Sequence, residues 1–358
     1  MDNARAQSRR DAKDKHRIFA PWCRGAFALN QVELKMKIIR LGHTPVEVSC
    51  IAYGCMGIGG SWDRSTPLGE QTRREAVKAI RAALEEGINF FDHADIYCWG
   101  KSEEAFAAIW SEVPRLREQI IVQSKCGIVM EGARPESTVG QFDFSYEHIV
   151  RSVEGSLQRL QTDYLDVLLL HRPDPLVEPE EVARAFDDLH ASGKVRYFGA
   201  SNHTAAQLRL LKKFLDQPIA ANQLELSLLH LHLFDEGVVF NQEAMHGEGT
   251  LEYCRQHHIT IQAWGPLKSG AVITGEDDPP AQAARDVAQL ISEIAQEKGV
   301  SKEAIALAWL LRHPAKIQPI IGTTKPERIK AACQADGVEL TRDEWYRLFI
   351  AGRGDRMP

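Results

Sequence analysis

Gly87-Ile88-Asn89-Phe90-Phe91-Asp92-His93-Ala94-Asp95-Ile96-Tyr97 is the stretch on which the reading of the fold turns. A glycine closes the helical pattern before it, and an apolar, strand-like run follows. The run ends on a carboxylate and, shortly after, a phenol. A buried strand that delivers titratable groups at its C-terminal end is how a closed α/β barrel builds its reactive face. The plainer reading is an ordinary strand in which Asp92 caps the next turn and Tyr97 packs on the rim. The rest of the chain decides between them.

Outward from that stretch the pattern alternates. Lys37 to Gly42 and Val46 to Ser49 flank a Gly-His-Thr-Pro turn, a β-hairpin signal. Ile51-Ala52-Tyr53-Gly54 reads as a buried strand before a glycine-rich loop. Residues 70–86 then form a helix with Ala76, Val77, Ile80, Ala83 and Leu84 on one face and Gly87 as its stop. Further strands are expected at 120–125, 164–171, 195–201, 219–223, 260–264 and 319–322. Helices are expected at 146–160, 180–192, 204–215, around 250–257, near 281–298 and 301–313, and from Pro326 and Thr341. Segment 164–171 is almost wholly apolar, as a parallel strand covered on both faces must be. Eight strands from Ile51 onward, most followed by a helix, require a parallel sheet with right-handed crossovers. No Gly-x-Gly-x-x-Gly follows the first strand, which removes the usual argument for an open dinucleotide-binding sheet. The expected fold is a (β/α)8 TIM barrel over residues 36–358, with an N-terminal β-hairpin and extra C-terminal helices.

Composition narrows the function classes. With 358 residues, 44% hydrophobic and 26% charged, the chain has the make-up of a globular protein able to bury a large core. A net charge of −6 offers no basic footprint for nucleic acid or anionic membrane. No apolar run is long enough to span a bilayer. The seven cysteines are scattered without a Cys-x-x-Cys pair, which reads as reduced thiols in the cytoplasm.

In such a barrel all strand C-termini face one mouth. Reading off those ends gives Cys55-Met56, Asp92 with Tyr97, Lys125, His171, Ser201-Asn202, Gln223, Trp264 and Gly322-Thr323-Thr324. Each has a bland reading alone. Lys125 could snorkel, His171 could be a satisfied core imidazole, Ser201-Asn202 a helix cap and Trp264 a rim aromatic. Together they suit proton transfer. A free phenol titrates near ~10, too high for efficient donation at neutral pH. A lysine beside it stabilises the phenolate, and a carboxylate keeps that lysine charged. Asp92, Lys125 and Tyr97 are the right three types, and a neutral His171 could orient a carbonyl oxygen. An indole face suits stacking on a nicotinamide, with Ser201, Asn202 and Gln223 placed to grip its carboxamide.

Five segments then carry a family resemblance: Phe91-Asp92-His93-Ala94-Asp95-Ile96-Tyr97, Ser124-Lys125-Cys126-Gly127, Leu170-His171-Arg172-Pro173-Asp174-Pro175, Gly193 to Asn202, and Asn222-Gln223. In this order they resemble the aldo-keto reductase superfamily, from about residue 36 to the C-terminus. The His-Arg-Pro-Asp-Pro run and the segment 319–329 are most similar to bacterial YdhF-type oxidoreductases. The resemblance implies NADPH-dependent reduction of aldehydes and ketones, NADH being possible, with Asp92, Tyr97, Lys125 and His171 as the catalytic tetrad. It implies that Ser201, Asn202 and Gln223 hold the carboxamide, that Trp264 stacks on the nicotinamide, and that Leu267 and Ser269 lie along the pyrophosphate. Gly322, Thr323 and Thr324 stand where strongly NADPH-preferring members often carry Lys-Ser. Arg328 matches the arginine that pairs with the 2′-phosphate, and Lys325 could add charge. Ala331 and Ala332 replace a carboxylate or amide often placed against adenine. A small-molecule carbonyl substrate and a monomer are the default expectations.

Two other readings stand beside it. The same barrel could serve as a nicotinamide-binding regulatory subunit, as in potassium-channel β-subunits that resemble this family; fold alone does not decide. His230, His232 and His246, with Asp235 and Glu236, could form a metal site, though they lack a recognised ligand spacing. Trp62, Trp99 and Phe234 hint at an aromatic substrate pocket. Residues 1–35 read as a disordered extension without apolar periodicity. A chain beginning at Met36 would start directly on a strand, which suggests an over-extended start codon. Intact-mass measurement of the native protein is expected to place its N-terminus near Met36; a terminus at Met1 rejects the idea.

Overall fold

The structure is a computed structural model, and it describes residues 36–135, 137–239, 248–279 and 281–357. The extension expected over 1–35 lies outside the described residues.

β1 (Ile38–Arg40) and β2 (Glu47–Ser49) form an antiparallel hairpin. The barrel follows from β3 (Ala52–Gly54), β4 (Phe90–Asp92) and β5 (Ile121–Cys126). A second hairpin, β6 (Ile128–Val129) with β7 (Gln141–Phe142), sits in the next loop. β8 (Leu165–Leu170), β9 (Val195–Ser201), β10 (Ile219–Glu225), β11 (Thr260–Trp264) and β12 (Gln318–Ile321) complete the ring. All neighbours pair in parallel, and β12 returns to β3 through Ile320 opposite Ala52, so the sheet is closed. The chain is thus a (β/α)8 barrel.

The two faces of each strand divide the core. On β8, Val167 and Leu169 join an inner cluster with Phe90, Ala52 and Ile320, whereas Leu168 and Leu170 pack outward against the helices. Period-two alternation makes this division, and a parallel strand needs apolar residues on both sides of it. The hairpin contributes Leu41 and Val48, both fully buried, to the inner cluster. It therefore stoppers the end of the barrel opposite the strand C-termini. Gly42 makes the close approach possible: its φ is +55°, and a side chain there would overlap the Ala220 carbonyl.

Outer helices follow their amphipathic patterns. Glu70–Glu85 buries Ala76, Ala79, Ile80 and Ala83, while Tyr146–Leu160 buries Ile149, Val153 and Leu160 behind a Ser145 cap. Elements not expected from the sequence include the β6–β7 hairpin, helix Lys101–Ala107, the short helices Ile109–Glu112 and Ala271–Thr274, and helix His232–Val239 in a stretch read as irregular. Phe234, on His232–Val239, packs against Trp309, Trp345 and Phe349 and does not line the cavity at the barrel mouth.

Candidate active site

β4 and β5 deliver the central groups. Asp92 and Lys125 share the inward parity of their strands, and the chain then turns so that Tyr97 comes back over them. Lys125 is buried and uses all three of its donors. Its Nζ lies 2.8 Å from Asp92 Oδ2, 2.8 Å from the His93 carbonyl oxygen and 2.8 Å from Tyr97 Oη. Burial pulls the Lys125 ammonium down, but Asp92 and Tyr97 outweigh it and hold the group above the ordinary lysine range. For Tyr97 the balance differs from the sequence expectation. Lys125 does pull the phenol down, yet burial is the larger effect and, with Asp92, leaves it above its ordinary value.

The turn after Tyr97 is conformationally demanding. Cys98, Trp99 and Gly100 are successively left-handed, with φ of +49°, +61° and +83°. Each non-glycine residue there costs about 1–2 kcal/mol. The loop after β3 holds the turn in place: Trp99 Nε1 donates to the Trp62 carbonyl at 2.9 Å, and Ser102 Oγ to the Met56 carbonyl at 2.9 Å. Trp62 and Trp99 thus brace each other and do not line the cavity.

His171, at the end of β8, is buried with its ring 5.9 Å from that of Tyr97, edge to face. Burial, reinforced by Lys125 and Arg172, holds the imidazole well below its usual range, so it is neutral near pH 7. Asn202, left-handed at φ +61°, donates through Nδ2 to the His171 carbonyl at 3.1 Å and to Ser201 Oγ at 2.9 Å. Its Oδ1 accepts from Trp264 Nε1 at 3.0 Å, and Ser201 Oγ donates to the Gln223 carbonyl at 3.1 Å. Arg172 lies over the Trp264 ring, 6.0 Å from its centroid.

A cavity of about 740 Å³ joins these groups. Asp92, Tyr97, His171, Ser201, Asn202, Gln223 and Trp264 line one end, with Lys125 behind them. Leu267, Ser269, Gly322, Thr323 and Arg328 line the rest, while Thr324 does not. Lys268 and Ser269 are left-handed at +41° and +53°, and Lys268 Nζ is held by Asp277 Oδ2 at 2.6 Å. Met56, expected with Cys55 at the mouth, lines the cavity, whereas Cys55 is buried and does not. Sequence reasoning missed Arg172 and Glu303 as lining residues; only Arg172, inside the His171 to Pro175 run, carried a local signal. Of the proposed metal ligands, His230 and His232 meet edge to face at 4.8 Å, and His246 lies outside the described residues. Among the described residues no three His, Cys, Asp or Glu converge as a metal site.

The mouth of this closed barrel gathers a buried carboxylate, a lysine, a phenol and a neutral imidazole, the kinds of group that proton transfer uses. Comparison with known proteins gives the class its name. A profile of the Aldo/keto reductase family matches residues 50–351, and the chain belongs to that family. Oxidoreductase YdhF of Escherichia coli (strain K12) is 39% identical over 285 residues, covering 80% of this chain and 90% of its own length. A 6-dehydroglucose reductase of Agrobacterium fabrum is 37% identical over 310 residues, covering 86% and 96%. The structure of the glycerol dehydrogenase AKR11B4 from Gluconobacter oxydans matches with a TM-score of 0.74 at 25% identity, covering 90% of this chain and 97% of that one. The chain is accordingly an NAD(P)H-dependent oxidoreductase acting on small carbonyl compounds. No described helix is long and apolar enough to cross a membrane.

The lining suits such a cofactor. Amide and hydroxyl groups surround an indole at one end, and an exposed Arg328 without an ion pair among the described residues stands along the same cavity.

His93 provides a test of how dry the ground behind the site is. It is fully buried, both ring nitrogens lack hydrogen-bond partners among the described residues, and burial with Lys125 drives it down to about 3. Between pH ~6.5 and ~3 only the unfolded chain binds this proton, so stability falls with pH by about 1.4 kcal/mol per unit. His93→Leu is expected to flatten the stability curve between pH 6 and 4 by about that slope. At pH 7 it should cost no more than about 1 kcal/mol, since no hydrogen bond is lost. Urea unfolding across pH measures both; an unaltered slope rejects the neutral, buried state.

Proposed function

We propose that the chain reduces aldehydes and ketones to alcohols with NADPH, Tyr97 acting as the proton donor. The observation that carries this is the buried chain from Asp92 through Lys125 to Tyr97, each contact at 2.8 Å. Lys125 donates to Tyr97 Oη, so that oxygen's lone pair is engaged and its own proton is free to point into the cavity. As the proton leaves, the adjacent ammonium stabilises the phenolate, and Asp92 keeps that ammonium charged and fixed. His171, neutral, donates a hydrogen bond to the substrate oxygen without competing for the proton. The cofactor supplies the hydride. Ser201, Asn202 and Gln223 would orient its carboxamide, Trp264 would stack on its ring, and Leu267 and Ser269 would hold its phosphates. Gly322 and Thr323 would border the remainder of the cofactor.

Arg328 supports the NADPH preference, because a guanidinium pairs with a phosphate bidentately. Glu303, lining the same cavity, carries the opposite charge, so the preference rests on Arg328 outweighing it. Two of the similar proteins are named for hydroxylated compounds, 6-dehydroglucose and glycerol, which supports a hydroxylated carbonyl substrate.

NADPH absorbance decay with a panel of aldehydes, ketones, quinones and dehydro-sugars is expected to show turnover. Tyr97→Phe should lower kcat by about 10²-fold or more. Turnover unaffected by that change rejects the mechanism, and no turnover on any carbonyl favours the regulatory-subunit reading. Arg328→Ala is expected to raise the KM for NADPH by about tenfold, with less than about a twofold effect on NADH; equal effects remove the 2′-phosphate role.

A further inference from the structure

Beneath the reactive groups four glutamines cross the inside of the barrel. Gln123 on β5, Gln223 on β10, Gln262 on β11 and Gln318 on β12 are all buried. Gln123 Nε2 donates to Asp92 Oδ1 at 2.6 Å and to Gln262 Oε1 at 2.9 Å. Gln223 Nε2 donates to the same two acceptors at 3.1 and 3.3 Å. Gln262 Nε2 continues to Gln318 Oε1 at 3.0 Å, and Gln318 Nε2 ends on the Ser49 carbonyl of the hairpin at 2.7 Å.

The direction of every amide in this ladder is forced. A carboxylate paired with Lys125 only accepts, so the groups facing it must be the NH2 ends of Gln123 and Gln223. Their second N–H bonds then require the oxygen of Gln262 between them. Gln262 in turn must give its own NH2 to Gln318. At the far end the Ser49 carbonyl also only accepts, so Gln318 is fixed independently from below. With acceptors at both ends, Gln123 and Gln223 become double donors whose oxygens are left over. The Gln123 oxygen is buried with no partner, a visible cost of that polarity. Gln223 instead lines the cavity, where its oxygen has somewhere to go.

We propose that Gln123, Gln262 and Gln318 are positioning residues that act with Asp92 to hold the Gln223 amide with one end toward the ligand. They present its oxygen as an acceptor for the N–H of a nicotinamide carboxamide. None of the three lines the cavity, and each acts through Gln223 or Asp92. The inference rests on the nicotinamide reading of the cavity.

The test compares NADPH with its 3-acetylpyridine analogue, in which a methyl replaces the carboxamide NH2. Dissociation constants are read from tryptophan fluorescence for the full chain, Gln262→Met and Gln262→Glu. The unaltered protein is expected to bind NADPH at least about fivefold more tightly than the analogue, the loss expected when one buried acceptor goes unpaired. Gln262→Met removes one of the two acceptors that hold the Gln223 NH2 inward and should lower the ratio by at least about twofold. Gln262→Glu, buried and protonated, keeps a C=O acceptor and an O–H donor in the same places and should preserve it. A Gln262→Met ratio equal to that of the unaltered protein overturns the ladder's role, as does equal binding of both dinucleotides by the unaltered protein. If Gln262→Met does not fold, Gln318→Met, one rung farther from the cavity, is read in the same way. Failure of the unaltered protein to bind either dinucleotide removes the nicotinamide reading and the inference with it.

Discussion

One buried ammonium governs the shape of the barrel mouth. Lys125 is removed from water, and an ammonium so placed is costly unless every N–H meets an acceptor. Its three acceptors come from three places: a carboxylate on the neighbouring strand, a carbonyl just past that strand and a phenol at the end of the following turn. Satisfying them dictates the path of residues 92–97. The Asp95 N–H donates to the Lys125 carbonyl at 3.1 Å, which ties that turn to the strand beneath it. The left-handed run from Cys98 to Gly100 then returns the chain to helix Lys101–Ala107. The strain there follows from holding Tyr97 over Lys125 while the next helix packs outside β4.

Around this charge the barrel interior is layered. The hairpin and the inner apolar cluster fill the lower end, the glutamines lie above them, and the titratable groups stand at the rim. All three layers use the same side-chain parity of the same strands. On β5, Ile121 packs against the inner apolar cluster, while Gln123 and Lys125 follow at steps of two. Period two therefore sets the heights at which apolar packing, amide bonding and ionic chemistry occur.

The fold was legible because most elements obey simple periods. Tyr146–Leu160, Val195–Ser201 and Thr260–Trp264 occupy the expected residues. Helix Lys101–Ala107 escaped because its buried side carries Lys101, Ser102 and Glu103. Those charges are met by distant partners: Glu103 by Arg159 and Ser124, Lys101 by the carbonyls of Asp63 and Thr66. No apolar pattern marks such a helix. The strand-end residues could be named because they follow apolar runs, and the fold brings Asp92, Tyr97, Lys125 and His171 together. The glutamine layer escaped for the opposite reason, since a glutamine inside a strand looks unremarkable without knowing which way it faces. An amide recurring on the inward parity of parallel strands was the available signal. Glu303 reaches the cavity from a distant helix, and nothing local announces it.

The hairpin seal gives the barrel the plumbing of a flask. With Leu41 and Val48 closing its floor, every solvent exchange has to use the neck in which Tyr97 stands. If Tyr97 gives up its proton as proposed, a molecule seated there would also cork the route by which the phenol regains one. On that proposal loading, reaction and recharging follow in sequence, and a leak in the floor would abolish that order without touching any group at the neck.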